Sequence, residues 1–249
     1  MKALITGASS GIGKEMAKYL SSLGCELILV SRSKDALESL QNTLKTKTKI
    51  IVMDLSNIQK VKELYVLCKN DDIDILINNA GFGDFGYFVN TDLSKDLDMI
   101  SVNVEAVHIL TKLFLRDMVK KDSGYILNVA SSAAFQPGPL MATYYATKSY
   151  VHRLTTALYE ELRRKKSHVS ISCLCPGPVD TNFNNVADVH FSVKPLLSTY
   201  VARYAIDKMF HHKLVIVPGF TMKCAKFFGR FLPDKLLLRI TYHIQHKKK

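Results

Sequence analysis

Seven short apolar runs alternate with longer segments of helical period along the 249-residue chain. The runs are rich in Ile, Val and Leu and nearly continuous in hydrophobicity, as expected of parallel strands that are covered on both faces. They span residues 3–6, 26–30, 49–53, 73–77, 125–129, 169–174 and 214–217. Between them, apolar residues recur at helical spacing in three stripes, within residues 12–23, 58–68 and 99–113. This alternation predicts an α/β fold with a doubly wound, seven-stranded parallel sheet and helices on both faces.

The chain shows no linker, repeat or low-complexity segment, so residues 1–249 are predicted to form a single domain. Its last part, residues 220–249, is a basic amphipathic extension that Pro233 is expected to divide into two helices. Such an extension could lie on an anionic membrane, on an acidic partner, on a second subunit or on its own domain. The net charge of +12 comes without a nucleic-acid-binding motif. We therefore predict no nucleic-acid partner.

The cysteines and histidines favour a reducing compartment and no metal site. Five cysteines are scattered along the chain, and Cys173 and Cys175 alternate in a probable buried strand, which suits small core residues. The eight histidines show no metal-binding spacing, and adjacent His211 and His212 are expected at the surface. The first strand begins near residue 3, leaving no room for a signal peptide. A cytoplasmic location is the resulting prediction.

A glycine-rich turn joins the first strand to the first helical stripe. Its glycines have the spacing G-x-x-x-G-x-G, which permits a tight turn and a close approach of the backbone to a ligand. The amides at the start of the following helix suit a pyrophosphate. A turn of this kind directly between a strand and an amphipathic helix predicts nucleotide binding. The residues expected to contact the nucleotide are Gly7, Ser9, Ser10, Gly11, Ile12 and Gly13.

The end of the second strand indicates which nicotinamide nucleotide is bound. A carboxylate at this place would bind the adenosine ribose hydroxyls and select NAD. The chain has Ser31, Arg32 and Ser33 instead, and no acidic residue before Asp35. Such a set can hold a 2′-phosphate by charge-assisted hydrogen bonds. NADP(H) is therefore predicted over NAD(H).

Tyr144 and Lys148 stand four residues apart in a segment whose composition suits a helix, so both side chains leave the same face. An ammonium held against a phenol favours the phenolate, and Lys148 is therefore expected to lower the pKa of Tyr144. The pair would be a proton-transfer device if a reactive group lay beside it. Tyr145, three residues before Lys148, could share the same helix face.

Several motifs, taken in order, resemble those of the short-chain dehydrogenase/reductase family. The cofactor motif is matched by residues 6–13, the adenine-side pair by Asp54 and Leu55, and the strand-four motif by residues 78–81. Residues 101–104 contain the family's helix Asn, as Asn103, and residues 176–181 match the segment that covers the nicotinamide. Ser131 stands thirteen residues before Tyr144, the family's spacing. The resemblance runs from residue 2 to about residue 217.

The resemblance implies a Rossmann-type fold and assigns roles to the residues that match. Tyr144 would donate a proton to a carbonyl oxygen, Ser131 would hydrogen-bond that oxygen, and Lys148 would lower the Tyr144 pKa and bind the nicotinamide ribose. Asn103 would bend its helix locally and hold a water linked to Lys148. The Ser spacing selects Tyr144 over Tyr145, while adjacent Ser132 rivals Ser131. The implied cofactor contacts, besides those above, are Asp54, Leu55, Asn79, Ala80, Gly81, Tyr144, Lys148, Pro176, Gly177, Val179 and Thr181.

The substrate is less well defined by the sequence. Aromatic and apolar residues near the motifs could form an apolar wall, or serve loop packing or an oligomer interface: Phe82, Phe85, Tyr87, Phe88, Phe135, Pro137, Pro139, Leu140 and Met141. Phe183 to Val193 follow the nicotinamide segment, where the family keeps a mobile substrate lid. We expect NADPH-dependent reduction of an apolar ketone or 3-ketoacyl group. The alternatives are oxidation of a hydroxysteroid or other alcohol, and a non-catalytic NADP-binding sensor. The resemblance also implies a homodimer or homotetramer built on the Asn103 and Tyr144 helices.

Overall fold

A computed structural model of the protein describes residues 1–181, 183 and 195–246. All seven predicted strands are present and form one parallel sheet, which confirms the predicted fold class. The strands are β1 Lys2–Thr6, β2 Glu26–Ser31, β3 Thr48–Val52, β4 Ile75–Asn78, β5 Tyr125–Val129, β6 Ser170–Leu174 and β9 Val215–Ile216. Their order across the sheet is β3-β2-β1-β4-β5-β6-β9. A separate parallel pair, β7 Val179–Asp180 with β8 Leu196–Leu197, was not predicted.

The helices follow the predicted stripes, with one interruption. They are α1 Gly11–Ser22, α2 Lys34–Gln41, α3 Ile58–Cys68, α4 Leu93–Ile100, α5 Val107–Lys121, α6 Ala142–Arg164, α7 Ser198–Phe210, α8 Phe220–Phe228 and α9 Asp234–His246. The stripe within residues 99–113 is not one regular α-helix, because a π-helical segment, Ser101–Ala106, joins α4 to α5. This segment contains Asn103, so the local distortion implied by the family resemblance is present.

Successive side chains of the sheet enter two different apolar layers because a strand alternates its faces. In β1, Ile5 packs in the layer that contains Met16 of α1 and Val201 of α7. Its neighbour Leu4 packs in the opposite layer with Leu64 of α3 and Leu110 of α5. Since helices cover both layers, both faces of the strand are buried, and this explains the continuous hydrophobicity of the runs.

The strand order reverses at β1, because β1 pairs with β2 on one side and with β4 on the other. The connection after β1 therefore runs towards β2, on one side, and the connection after β4 runs towards β5, on the other side. The two connections diverge. In open α/β sheets a ligand crevice forms at this point, outside the carboxyl ends of the strands. The glycine-rich turn after β1 and the 78–81 motif after β4 lie side by side there.

A buried polar network ties the central strands to the helices that carry the candidate site. The Asn78 side chain of β4 donates to Asn128 Oδ1 of β5 at 2.8 Å and to Thr111 Oγ1 of α5 at 3.0 Å. Asn128 Nδ2 in turn donates to Thr155 Oγ1 of α6 at 3.0 Å. Asn128 and Thr155 are both completely buried. Asn128 is therefore structural and helps to hold α6 in register with the sheet.

The remaining predictions about the fold concern the cysteines, the histidines and the C-terminal extension. Cys173 and Cys175 are fully buried free thiols with their Sγ atoms 3.7 Å apart, and His211 and His212 are exposed, both as predicted. The extension forms two helices, α8 and α9, with the break at Pro233, also as predicted. Among the residues that the structure describes, no helix has the length and apolar character needed to cross a membrane.

Replacing Thr155 by Val should destabilise the protein by about 1–3 kcal/mol, because it leaves the buried Asn128 amide without its acceptor while keeping the shape of the side chain. Urea unfolding at neutral pH measures this free energy. Thr156→Val is the matched control, since the Thr156 hydroxyl is bonded only to the nearby Arg153 carbonyl at 3.0 Å and is not buried. Equal losses in the two variants would contradict the role given to the network.

Candidate active site

A cavity of about 640 Å³ lies at the carboxyl edge of the sheet, where residues after six strands meet. Three of the four predicted catalytic residues line it, namely Ser131, Tyr144 and Lys148. Nearly all of the predicted cofactor residues line it as well: Gly7, Ser9, Ser10, Gly11, Ile12, Ser31, Arg32, Ser33, Asp54, Leu55, Asn79, Ala80, Gly81, Pro176, Gly177, Val179 and Thr181. Two predicted residues, Gly13 and Asn103, do not line the cavity but lie behind it.

The glycine-rich turn is held in shape by the side chain of Asn79. Asn79 Nδ2 donates to the carbonyl oxygens of Thr6 and Gly7, each at 3.0 Å. A Cβ at Gly13 would lie 2.4 Å from both Asn79 Nδ2 and the Gly7 oxygen, so only glycine allows this contact. Gly13 therefore supports the turn from below and does not face the cavity, whereas its prediction as a cofactor contact rested on the motif alone.

The turn suits the pyrophosphate of a dinucleotide. Gly7 and Gly11 have positive φ angles of 64° and 54°, which favour glycine and expose backbone amides to the cavity. Helix α1 starts at Gly11, so its free amides and the positive end of its dipole face the same space. With room for a dinucleotide along the sheet edge, the residues present fit a nicotinamide cofactor.

The edge of the cavity after β2, where the adenosine of a dinucleotide is expected, carries the cation of Arg32. Ser31 is buried and its Oγ donates to the Ser33 carbonyl at 3.3 Å, while Arg32 is exposed at the cavity edge. Arg32 forms no ion pair within residues 1–181, 183 and 195–246. Asp54 accepts from the Ser56 amide at 3.0 Å, and Asn57 caps α3. The cap of α3 is therefore Asn57 and not Asp54.

Tyr144 and Lys148 lie on the first two turns of α6, with their side chains on the same face as predicted. Lys148 Nζ donates to the Val129 carbonyl of β5 at 3.1 Å and lies 5.8 Å from the centroid of the Tyr144 ring. Both side chains are buried, with 5 % and 9 % of Lys148 and Tyr144 exposed. The pair is thus anchored to the end of β5, where Ser131 follows.

Burial determines the protonation of both groups in the cofactor-free protein. It raises the pKa of Tyr144 to about 12, an effect that a hydrogen bond with Ser131 partly offsets and the nearby Cys175 reinforces. It lowers the pKa of Lys148 to about 8, against the opposing influence of Cys173 and Cys175. Lys148 is not among the groups that shift the Tyr144 pKa in this state, so the expectation that it lowers this pKa is not met in the cofactor-free protein. At neutral pH the phenol is protonated and the amine is charged.

Asn103 is completely buried behind Gly81. Its amide donates to the Phe82 carbonyl at 2.9 Å and to Thr147 Oγ1 at 3.1 Å, and its Oδ1 accepts from the Phe82 amide at 3.1 Å. A Cβ at Gly81 would lie 2.8 Å from Asn103 Oδ1 and 3.1 Å from Lys148 Nζ. Gly81 therefore keeps open a small space in which Asn103 and Lys148 face each other, and Asn103 fixes the segment that follows β4.

Ser131 caps a short 3₁₀ turn, Ser132–Phe135, that follows β5. Its Oγ accepts from the Ala133 amide at 3.2 Å and lies 3.5 Å from the Pro176 carbonyl. The rival Ser132 also lines the cavity, and its backbone amide donates to the same carbonyl at 2.8 Å. Of the two serines, only Ser131 lowers the pKa of the Tyr144 phenol, through hydrogen bonding by its side chain. This geometry favours Ser131 over Ser132 as the partner of Tyr144.

Only part of the predicted apolar wall faces the cavity. Phe82, Met141 and Phe183 line it and pack around Tyr144, and the Phe183 and Tyr144 ring centroids are 5.3 Å apart. Phe85 packs against the same cluster from outside the cavity. Of the expected lid, Phe183 is described, while the remaining residues up to Val193 lie outside the described residues.

Three aromatic residues of that wall point elsewhere. Tyr87 and Phe88 are 52 % and 68 % exposed on the loop after β4 and do not line the cavity, which leaves loop packing or an interface as the alternatives for them. Phe135 packs edge-on against His152 and under Lys226 of α8, which removes it from the cavity too. Pro137, Pro139 and Leu140 are likewise not among the lining residues. Two of these side chains contact the C-terminal helices instead, Phe135 through Lys226 and Tyr87 through the Tyr242 hydroxyl.

The cavity also contains residues that sequence reasoning missed: Met53, Val102, Val129, Ala130, Ala133 and Pro178. Most of them adjoin a motif residue at a strand end, and this adjacency was the available signal. Tyr145 lines the cavity as well, and its hydroxyl accepts a hydrogen bond from Gln245 Nε2 of α9. That contact spans a hundred residues, and no pattern around Gln245 indicated it.

Comparison with known proteins adds relatives and structures with this architecture. The chain is 40 % identical over 175 residues to hydroxysteroid dehydrogenase-like protein 1 of Gallus gallus, covering 66 % of this chain and 51 % of that protein. It is 32 % identical over 208 residues to very-long-chain 3-oxoacyl-CoA reductase of Anas platyrhynchos, covering 80 % of this chain and 66 % of that protein. The chain thus spans about half and about two thirds of the lengths of these two relatives.

Two solved structures share the fold and differ in their nucleotide. A short-chain dehydrogenase from Sphingobium yanoikuyae in complex with NADPH superposes with a TM-score of 0.83 at 26 % identity, covering 92 % of this chain and 93 % of that one. A short-chain dehydrogenase/reductase from Burkholderia phymatum in complex with NAD gives 0.84 at 25 % identity, covering 94 % and 95 %. The family profile described as short chain dehydrogenase matches residues 1–189, which is well over half of the chain. The protein therefore belongs to the short-chain dehydrogenase family of NAD(P)-dependent oxidoreductases.

Proposed function

We propose that the protein reduces the carbonyl of an apolar ketone or 3-ketoacyl group to an alcohol with NADPH, and that Tyr144 donates the proton. The observation that carries this proposal is the meeting of Ser131, Tyr144 and Lys148 in the cavity into which the glycine-rich turn opens. A phenol, a hydroxyl and an ammonium around one point suit a carbonyl oxygen that gains negative charge during reduction.

The bound nicotinamide supplies the hydride in this reaction. Tyr144, protonated at neutral pH because burial raises its pKa to about 12, gives its proton to the carbonyl oxygen. Ser131 hydrogen-bonds the same oxygen and orients it. The Lys148 ammonium stabilises the negative charge as it moves from the substrate oxygen to the phenol, and it does so at short range in a buried site where charges interact strongly. Asn103 holds the wall opposite Lys148.

An apolar substrate is favoured by the side chains around Tyr144. Phe82, Met141 and Phe183 offer apolar surface and no charge to the cavity. The names of the two relatives, a hydroxysteroid dehydrogenase-like protein and a very-long-chain 3-oxoacyl-CoA reductase, point to the same substrate class. Oxidation of a hydroxysteroid at this site is the second candidate, supported by the first of these names. A non-catalytic sensor would have no use for the complete set of four residues.

The preference for NADPH rests on Arg32 and its neighbours. The solved structures include both an NADPH and an NAD complex, so the family does not decide between the two. In this chain the cavity edge after β2 presents Arg32 between two serines. A guanidinium there attracts a 2′-phosphate and gains nothing from a ribose hydroxyl. The cytoplasmic location, the single domain and a homodimer or homotetramer stay predictions.

Tyr144→Phe should reduce the rate of NADPH oxidation at saturating ketone by about a hundredfold or more, because it removes the proton donor. NADPH fluorescence titration should give an unchanged Kd, since the ring remains. A panel of steroid ketones, 3-ketoacyl thioesters and small polar aldehydes, followed at 340 nm, identifies the substrate class.

Tyr145→Phe is the matched control for this experiment. It removes a hydroxyl from the same cavity at the next residue, fourteen rather than thirteen residues after Ser131, and is expected to keep most of the turnover. Turnover that survives in Tyr144→Phe and is lost in Tyr145→Phe would refute the assignment. Turnover confined to the small aldehydes would refute the apolar substrate class alone.

Arg32→Ala should weaken NADPH binding by about tenfold to a hundredfold, the value of one charge-assisted contact to a phosphate, and leave NADH binding nearly unchanged. Kd values for both nucleotides measured by fluorescence titration give the ratio. Lys34→Ala, which removes a neighbouring exposed cation already paired with Glu38 at 3.6 Å, is the control. Equal weakening of both nucleotides in Arg32→Ala would reject the 2′-phosphate role.

The Lys148 pKa of about 8 predicts a pH-dependent stability. Because the folded state releases this proton at a lower pH than the unfolded chain, the unfolded chain binds more protons above about pH 8. The free energy of unfolding therefore rises with pH between about pH 7 and pH 9.5, by about 2 kcal/mol from this group.

Lys148→Met should lack this rise and should be the more stable protein at pH 7. Urea unfolding of the cofactor-free wild type and variant across this range gives the difference between their free energies of unfolding at each pH. The measurements stay below pH 10, because the Tyr144 proton affects stability only above that pH. Lys62→Met replaces an exposed lysine and serves as the control. A constant difference between wild type and Lys148→Met would show that Lys148 titrates normally.

A further inference from the structure

The last helix turns its polar side inwards and its apolar side to solvent. In α9, Thr241 and Gln245 are each only 1 % exposed. Leu236, Ile240 and Ile244 of the same helix are 46 %, 39 % and 51 % exposed. A helix on the surface of a protein in water normally buries its apolar stripe and exposes its polar one. The pattern of α9 is the reverse.

Helix α8 shows the same arrangement with aromatic residues. Phe220, Phe227, Phe228 and Phe231 are 81 %, 56 %, 63 % and 72 % exposed, and their spacing of seven, eight and eleven residues brings them to one side. The Phe227 ring contacts those of Phe228 and Phe231, at centroid distances of 5.3 and 5.4 Å. The helix is attached by its other side, where Met222 packs on Gly177 so closely that a Cβ there would lie 2.6 Å from Met222 Cγ.

The C-terminal part of the chain also carries most of the net charge of the protein. Residues 208–249 contain ten Lys and Arg and a single acidic residue, Asp234, and so account for nine of the twelve net positive charges. Arg230, Lys235 and Arg239 are exposed between the apolar side chains just described. Apolar and cationic groups are therefore presented together on one face.

We propose that this C-terminal surface docks on an anionic phospholipid bilayer, with α8 and α9 lying in the headgroup region. The surface consists of Phe220, Phe227, Phe228, Arg230, Phe231, Lys235, Leu236, Leu238, Arg239, Ile240 and Ile244. Exposed aromatic and aliphatic side chains enter the boundary between headgroups and acyl chains, and Lys and Arg pair with anionic headgroups. A second copy of the chain is a poorer occupant, because a symmetric interface would place two like-charged surfaces against each other.

The docking surface adjoins the substrate end of the cavity. Met222 of α8 contacts Gly177, and Gln245 of α9 contacts Tyr145, and both contacted residues line the cavity. The Tyr242 hydroxyl of α9 also lies 2.8 Å from that of Tyr87. A docked protein would therefore hold its cavity beside the lipid. The docking proposal stands without the proposed function, since it rests on exposure and charge and not on the chemistry of the cavity.

Vesicle flotation with the full chain tests the proposal. Wild-type protein should float with phosphatidylcholine vesicles that contain about 30 % phosphatidylglycerol, and much less with pure phosphatidylcholine. The triple variant F227S/F228S/F231S and the triple variant R230E/K235E/R239E should each lower the partition coefficient by about tenfold or more. Added salt should weaken binding of the wild type and leave the charge variant unaffected.

Matched controls and a second readout make the result decisive. Leu67→Ser removes a 56 % exposed apolar side chain of α3, outside the surface, and K45E/K62E/K69E reverses three exposed charges elsewhere. Both should bind vesicles like the wild type. Absence of flotation with the anionic vesicles, or equal losses in test and control variants, would overturn the proposal. A second outcome would also overturn it: a dimer of the wild type in lipid-free sedimentation experiments that is lost in F227S/F228S/F231S. A second copy of the chain would then cover the surface.

Discussion

The hydrogen bonds between Asn79 and the end of β1 are the contacts on which the candidate site depends. Asn79 Nδ2 holds two carbonyl oxygens of the glycine-rich turn, and the amides of Asn79 and Ala80 both donate to Thr6 Oγ1, at 3.0 and 3.1 Å. These bonds join the two strands between which the strand order reverses. They fix the position of the glycine-rich turn, with its backbone amides, relative to Gly81. Since Gly81 lies against Lys148, they also fix the turn relative to Lys148. The phosphate end and the chemical end of the cavity are therefore one rigid unit.

Burial at the chemical end has two opposite effects on the pair that transfers the proton. It raises the pKa of the phenol and lowers that of the ammonium, because both charged forms lose water. Both effects favour neutral groups, and at neutral pH only Lys148 remains charged. In the proposed reaction, Tyr144 would thus remain an acid until negative charge forms beside it. Lys148 would then stabilise that charge in surroundings where the described residues place no carboxylate to neutralise it.

Much of the fold and of the site could be predicted because the signals are local. Continuous apolar runs mark strands buried on both faces, and in a parallel sheet the residues after each run meet at one edge, so the Gly7 turn, Arg32 and Ser131 could be placed together. The outward direction of Tyr87 and Phe88 could not be predicted, because it depends on α9 occupying the space beside them. The direction of the Tyr144 pKa shift could not either, since it depends on burial by segments distant in sequence. Gly13 was assigned to the cavity because it belongs to the glycine motif. The motif alone does not indicate that the side chain of Asn79, and not a bound ligand, requires glycine at this position.

The inverted polarity of α9 connects the site to the surface. Gln245 is buried, donates to Tyr145 and leaves its Oε1 without a protein partner among the described residues. Burying an amide in this way costs free energy that an apolar side chain would not, so the usual hydrophobic reason for docking a helix is absent here. The α9 side chains buried against the domain, Thr241 and Gln245, are polar, and those it presents outwards are apolar and cationic. A helix built this way gains from a lipid environment on its outer face while its inner face limits one side of the substrate pocket through Tyr145. In the proposed docking, the last two helices would therefore couple the shape of the pocket to the lipid surface.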